Sequence, residues 1–329
     1  MKALVTGATG FLGLYIVEQL KARGDHVRAF CRRSTPELEK LHVEIAFGDL
    51  QDRNAVHRAC QGMDIVFHVA GVAGIWGPWK HFYKVNTEGT HHVIEGCRLH
   101  GINRLVYTSS PSVTFNGVDQ CGVDESAPYP SRWLCHYPHS KALAEQAVLA
   151  ANDTSLATCS LRPHLIWGPR DHHLIPRLIE RARIGKLRRI GDGTNLIDMI
   201  YIENAAQAHL QAADALSVGS KVAGRAYFIS QGEPVNCWQW IDALLVAHGL
   251  PRVQKSISLK AAYRIGAALE VIHTALRISA EPRMTRFLAA QLGTSHYFSI
   301  ANAQRDFGYL PKISAEEGMR RLIASQSRR

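Results

Sequence analysis

A short apolar run, KALVTG at residues 2–7, passes directly into ATGFLG and then into LYIVEQLKARG, which sets Gly7, Gly10 and Gly13 between a strand and a helix. The missing side chains permit a tight turn, a close backbone approach to a pyrophosphate and close packing of helix on strand, while the helix N-terminus offers unpaired N–H groups to negative charge. HVRAFCR, residues 26–32, reads as the next strand. Strand, glycine turn, helix and second strand together predict a dinucleotide site held by Gly7, Thr9, Gly10, Phe11, Leu12 and Gly13. The second strand ends in Phe30-Cys31-Arg32-Arg33, with no carboxylate to repel a 2′-phosphate and two guanidiniums to hold one. This favours NADP(H), with Arg32 and Arg33 as its partners.

The alternation continues through VEIAFGDL, AVHRACQG, DIVFHVAG, a helix over about 86–100, RLVYTSS, a helix opened by Pro138, and SLATCSLRPHLIW. Strands alternating with helices predict an α/β fold, a Rossmann-type doubly wound parallel sheet. After Gly168 the pattern changes to a basic helix, a GDGTN turn, a helix from Ile202 to about Leu216, the strand RAYFIS, and then mostly helices. The expected division is a dinucleotide-binding domain over 1–168 and a smaller, mostly helical substrate lobe over 169–329, with about 194–232 returning to the sheet.

Within HYPHSKALAEQ, residues 136–146, Tyr137 and Lys141 stand four apart and share a helix face. Pro138 suits a first turn and pushes the residue before it out of helical geometry. A phenol titrates near ~10; a cation about 5 Å away at an effective dielectric of about 20 contributes roughly 3 kcal/mol, or about 2 pKa units. The spacing therefore predicts a tyrosine acidic enough to exchange protons near neutral pH.

The formal charge of +10 concentrates in RLIERARIGKLRR, residues 177–189, and at the C-terminal Arg328 and Arg329, but no nucleic-acid module surrounds them. They read as a solvated face, or as attraction for an anionic substrate. The seven cysteines contain no C-x-x-C, and no secretory signal opens the chain, so a reducing cytoplasm is expected. Residues 259–279 carry Lys260, Arg264, Glu270 and Arg277 and are too interrupted to span a bilayer. Ala262, Ile265, Leu269, Ile272 and Leu276 make a stripe there that reads as core-facing or as a pocket lid, with peripheral membrane contact as the alternative. The pairs His91-His92 and His172-His173 lack metal-ligand spacing, so no metal is expected, although His172 and His173 are in a loop placed to touch substrate; no G-x-S-x-G elbow suggests a hydrolase.

With Asp49-Leu50, HVAG, YTSS, Tyr137 with Lys141, and RPHLIWGP in order, the chain resembles the extended short-chain dehydrogenase/reductases. GDGTNLIDMIYIENAAQAH and RDFGYLP resemble the 3β-hydroxysteroid and sterol dehydrogenase branch; PSVT, LIWGPRD, AYRIGA and TRFLAAQL are similar to bacterial 2-alkyl-3-oxoalkanoate reductases of long-chain olefin synthesis. The resemblance implies that Tyr137 is the general acid, that Lys141 lowers its pKa and bonds the nicotinamide ribose, and that Ser110, with Ser109 and Ser112 as alternatives, bonds the carbonyl oxygen. It further implies that Asp49 and Leu50 flank the adenine, that Val69, Ala70 and Gly71 line the cofactor's middle, that Pro163 to Ile166 lie near its carboxamide, and that Asn86 serves a proton relay. Trp76, Trp79, Phe115, Trp133 and Trp167 sit in loops expected to face the nicotinamide, and their grease beside the basic segment 170–189 suits a long-chain keto acid. The implied activity is NADPH-dependent reduction of a 2-alkyl-3-oxoalkanoic acid to the 3-hydroxy acid, by a homodimer or an assembly with pathway enzymes. The alternatives are a 3β-hydroxysteroid or sterol dehydrogenase, a nucleotide-sugar epimerase and a non-catalytic NADP sensor.

Overall fold

The computed structural model describes residues 1–326, so Arg328 and Arg329 lie outside the described residues. Its chain order begins β1 (Lys2–Thr6), α1 (Phe11–Ala22), β2 (His26–Cys31), β3 (Glu44–Phe47), α2 (Arg53–Cys60), β4 (Ile65–His68), α3 (Gly89–Leu99) and β5 (Arg104–Thr108). There follow α4 (His136–Ala150), β6 (Ala157–Pro163), α5 (Leu174–Arg183), α6 (Ile202–Ala215) and β7 (Arg225–Ile229). The seven strands form one parallel sheet in the order β7-β6-β5-β4-β1-β2-β3. The order reverses between β1 and β4, and a crevice opens at the carboxyl ends of these strands, where doubly wound sheets bind ligands.

Strands β4 and β6 are buried along their whole length, because helices cover both faces of the sheet. Helix α1 stops at Arg23, where Gly24 takes φ +85° and turns the chain into β2. Helix α6 packs on α1, with Gln19 donating to the Glu203 carbonyl, and leads the chain to β7 beside β6. The helix expected from Asn86 starts earlier, at Trp79 after Pro78, and runs through a π-helical stretch, Tyr83–Glu88, into α3. Pro138 does not hold Tyr137 outside the helix: α4 begins at His136, so Tyr137 lies in its first turn, where proline lacks no needed donor.

A second layer closes over the carboxyl ends. Its small sheet joins Gln120–Val123 to His296–Phe298, then Leu196–Ile197 and Val235–Asn236. Helices α7 (Cys237–Ala247), α8 (Leu259–Ala275) and α9 (Arg286–Gly293) complete the layer, with Ala301–Phe307 and Ala315–Gln326 following. Most of the stripe expected to face the core on α8 faces outward: Ile265, Ile272 and Leu276 are 46, 47 and 68% exposed and Leu269 is half-buried, while Ala262 alone of the stripe is buried, beside Gly266. A side chain at Gly266 would meet the Thr285 carbonyl carbon at 2.5 Å, so backbone contact with the start of α9 selects the small-residue face. No helix among the described residues is long and apolar enough to cross a membrane.

Gly266→Ala should lower stability by about 1–3 kcal/mol through overpacking. Urea unfolding midpoints measure this, and an unchanged midpoint would contradict the close approach of α8 to the Thr285 backbone.

Candidate active site

The groove at the crevice, about 530 Å³, begins at the glycine turn. Gly7 has φ +69°, and a side chain there would meet the Ala70 backbone at 2.8 Å; one at Gly13 would lie 2.1 Å from the Gly7 carbonyl oxygen. Gly10 caps α1 without a side-chain hydrogen bond, which leaves the first-turn N–H groups open to the groove. The surroundings therefore fit a pyrophosphate cradle that any Cβ would fill. Thr9, Phe11, Leu12, Arg32, Asp49, Leu50, Val69, Ala70, Gly71, Pro163 and Ile166 all line the same groove. Arg33 is exposed and outside it.

One hydrogen-bonded row fixes the loop after β4. Thr6 Oγ1 accepts from the Val69 and Ala70 N–H groups, so its own hydrogen goes to His68 Nδ1. His68 Nε2 then donates to Thr90 Oγ1, and Thr90 donates to the Asn86 carbonyl. Burial first, and Lys141 second, push the pKa of His68 down to about 3, so it is a neutral structural ring. Asn86 is spent as well: its Oδ1 accepts from Val72 N–H, and its Nδ2 donates to the Val72 carbonyl and to Ser140.

Tyr137 projects from the first turn of α4 into the groove and into a smaller cavity of about 170 Å³. Ser110, just past the end of β5, lines both spaces beside the phenol, whose proton affinity it lowers; Ser109 lines only the groove and Ser112 only the small cavity. Lys141 Nζ donates to the Thr108 carbonyl at 2.6 Å and lies 4.1 Å from the Tyr107 ring centre. It comes within 3.8 Å of where a Gly71 side chain would begin, so it backs the groove wall without lining it. One turn further on, Glu145 takes a 2.7 Å bond from Arg162 Nη2 and further bonds from Ser160 and Tyr129, which pins α4 to β6.

The electrostatics differ from the expectation drawn from the spacing. Burial pushes the Tyr137 phenol up to about 12, with the Ser110 hydrogen bond opposing. Burial also pushes Lys141 down to about 7, against the pull of Glu145. The i, i+4 estimate assumed a charged, partly solvated pair, whereas both groups are desolvated and the ammonium is turned toward Thr108.

Residues 4–261 match the 3-beta hydroxysteroid dehydrogenase/isomerase family. The chain belongs to that family. It is similar to the 2-alkyl-3-oxoalkanoate reductase of Stenotrophomonas maltophilia, 52% identical over 99% of this chain and 100% of the relative. It is also similar to the decarboxylating sterol-4-alpha-carboxylate 3-dehydrogenase of Mus musculus, 36% identical over 98% of this chain and 90% of the relative. Among solved structures it resembles MoeE5 in complex with UDP-glucose and NAD, with a TM-score of 0.75 and 25% identity over 100% of this chain and 99% of that one. The protein is an oxidoreductase of the extended short-chain dehydrogenase/reductase type.

In this family member the aromatic residues expected to face the nicotinamide divide. Phe115 lines the small cavity, while Trp76 and Trp133 line a larger apolar cleft of about 850 Å³ with Ile75, Ala267 and Val271. Trp79 does not reach these spaces, because it stacks on His139 with ring centres 4.6 Å apart. Trp167 is buried in the core against Tyr201 and Trp240. Of the pair expected to touch substrate, His172 is exposed and lines none of the three, whereas His173 lines the groove. The signal for His173 is Asp171, whose Oδ1 and Oδ2 accept from the N–H groups of residues 173–175 and turn the loop.

The basic segment does not flank the apolar spaces. Arg170 pairs bidentately with Glu18 and stacks on Tyr15, Arg177 pairs with Glu281, and no residue of 170–189 lines the large cleft or the small cavity.

The depressed pKa of Lys141 makes a stability prediction. Between about pH 7 and its ordinary value of 10.5 the unfolded chain binds the proton that the folded chain lacks, so this residue adds stability as pH rises through that window. Cofactor-free wild type should therefore gain in melting temperature relative to Lys141→Met between about pH 7 and about pH 9. Parallel melting curves across that range would show that the lysine is not desolvated.

Proposed function

We propose that the protein reduces the 3-oxo group of a long-chain 2-alkyl-3-oxoalkanoic acid with NADPH, giving the 2-alkyl-3-hydroxyalkanoic acid in olefinic hydrocarbon biosynthesis. The observation that carries this reading is the meeting of the dinucleotide groove and the small cavity at Tyr137 and Ser110, with the large apolar cleft on the far side of the Phe115–Phe287 cluster, which packs on the cleft residues Ile75, Leu134 and Cys135. The full-length 52% identity to a bacterial reductase of that name supports the same substrate class.

A bound reduced nicotinamide would supply the hydride. Tyr137, proton-bearing at neutral pH because burial raises its pKa, donates its hydrogen to the carbonyl oxygen as charge develops there. Ser110 directs a second hydrogen bond to that oxygen, and the Ser110–Ser112 contact at 2.9 Å orients its hydroxyl. Lys141, fixed by Thr108, keeps its remaining hydrogens for the ribose and stabilises the phenolate left after transfer. Phe115 and Phe287 exclude water from the small cavity.

Selection of NADPH rests on Arg32, which lines the groove at the end of β2 and forms no ion pair among the described residues. The acid at the adenine end, Asp49, is turned to Gln51 N–H. Arg33 is a secondary, solvent-side contributor to the 2′-phosphate.

Two measurements test the reading. With racemic 2-alkyl-3-oxo acid, wild type should consume NADPH, and Tyr137→Phe should lower kcat by about 10²–10⁴-fold while leaving NADPH affinity within a few-fold. Turnover of a sterol acid and none of the alkyl acid would replace the substrate assignment. Arg32→Ala should weaken NADPH by roughly tenfold and leave NADH nearly unchanged; equal losses for both would remove the 2′-phosphate role.

A further inference from the structure

The outward face of α8 has no partner among the described residues. Of the thirteen large apolar side chains that stand exposed there, five, Ile265, Val271, Ile272, Leu276 and Ile278, lie on α8 or just past its end. At three- and four-residue spacing, Ile265, Ala268, Val271, Ile272, Ala275 and Leu276 gather on one side of the helix, and all are exposed. Ala262, Gly266 and Glu270 occupy the opposite, buried side. The side that a surface helix turns to water is ordinarily polar, and here it is mostly apolar.

Free charge around this face has one sign. Between residues 255 and 289 the acids are Glu270 and Glu281, and both are spent: Glu270 is buried and bonded to Arg286, and Glu281 pairs with Arg177. Lys260, Arg264, Arg277 and Arg283 are exposed and form no ion pair among the described residues. At the start of the helix, Lys260 and Arg264 border a hollow of about 480 Å³ together with Tyr263. Toward its end, the exposed Val271, Thr274, Ala275 and Ile278 rim the large apolar cleft, so the mouth of the cleft opens onto the same face.

We propose that this face of α8 docks on the surface of an anionic lipid bilayer, with Ile265, Ile272 and Leu276 entering the interface and Lys260 and Arg264 set against lipid phosphates. An exposed apolar face of this extent marks a place where something docks. No helix among the described residues is long and apolar enough to cross a bilayer, so α8 lies along the surface, and its 17 residues reach about 25 Å. The charges decide between occupants. A second copy related by a twofold axis would bring the patch against itself, cation facing cation with no free acid to meet it. An anionic bilayer meets both the apolar side chains and the cations. Docked in this way, the mouth of the cleft stands at the boundary of headgroups and acyl chains, and an apolar ligand passes between bilayer and cleft without crossing water. The docking is independent of which ketone is reduced, and it is read without turnover.

Flotation of the full-length protein with lipid vesicles at low ionic strength tests this. Wild type should float with vesicles of phosphatidylcholine and phosphatidylglycerol in equal parts and stay behind with phosphatidylcholine alone. Ile272→Glu combined with Leu276→Glu should weaken binding about 100-fold or more. Lys260→Gln combined with Arg264→Gln should weaken it roughly 30-fold, as the loss of two charges near an anionic surface implies. NADPH affinity and melting temperature, which changes at these exposed positions should leave alone, report the fold of each variant; where the glutamate variant does not fold, the glutamine variant decides. Wild type that ignores the anionic vesicles, or that floats equally with both kinds, overturns the proposal, as does undiminished binding by the folded variants. A wild-type dimer in sedimentation velocity that the glutamate variant splits would assign the face to a second copy, and the lipid assignment then falls.

Discussion

The approach of backbone to backbone at the glycine turn governs the rest of the molecule. With Gly13 seated against the Gly7 carbonyl and Gly7 against Ala70, α1 starts directly over the carboxyl ends of β1 and β4. That placement leaves uncapped N–H groups facing a crevice and fixes the side of the sheet on which every other functional group must arrive. Thr6 extends the constraint sideways, because its hydroxyl orders both the loop after β4 and the buried His68.

A second constraint is desolvation around α4. The helix is fastened to β6 by a buried carboxylate–guanidinium pair and to β5 by the Lys141–Thr108 bond. Removing one partner of such a pair leaves an uncompensated buried charge, so geometry here is held more rigidly than the number of contacts implies. The same dryness sets the chemistry. It keeps the Tyr137 phenol protonated at neutral pH, and it draws the proton affinity of Lys141 down toward neutrality.

Much of this was legible in the chain. The parallel sheet, the groove from Gly7 to Ile166, and the joining of Tyr137 to Ser110 follow from local motifs whose geometry is set within a few residues. Less legible were features that depend on partners far along the sequence. The α8 stripe was misjudged because Gly266 meets Thr285 backbone, a contact no periodicity records. Trp167 and Trp79 were taken for pocket residues because loop placement was read without knowing what packs on the loop. The basic segment seemed available to a substrate until Glu18 and Glu281 were seen to hold two of its arginines.

By itself, the sequence determined the order of strands and helices, the glycine turn between β1 and α1 and the place of Tyr137 in the first turn of its helix, because these depend on backbone conformations and spacings that neighbouring residues dictate. Tertiary structure alone decided the protonation of Tyr137 and Lys141, the loss of Asn86 and Arg170 to internal partners, and the outward turn of the apolar face of α8. Charge and proton affinity depend on solvent exclusion and through-space neighbours, and neither exists until the second layer closes over the sheet.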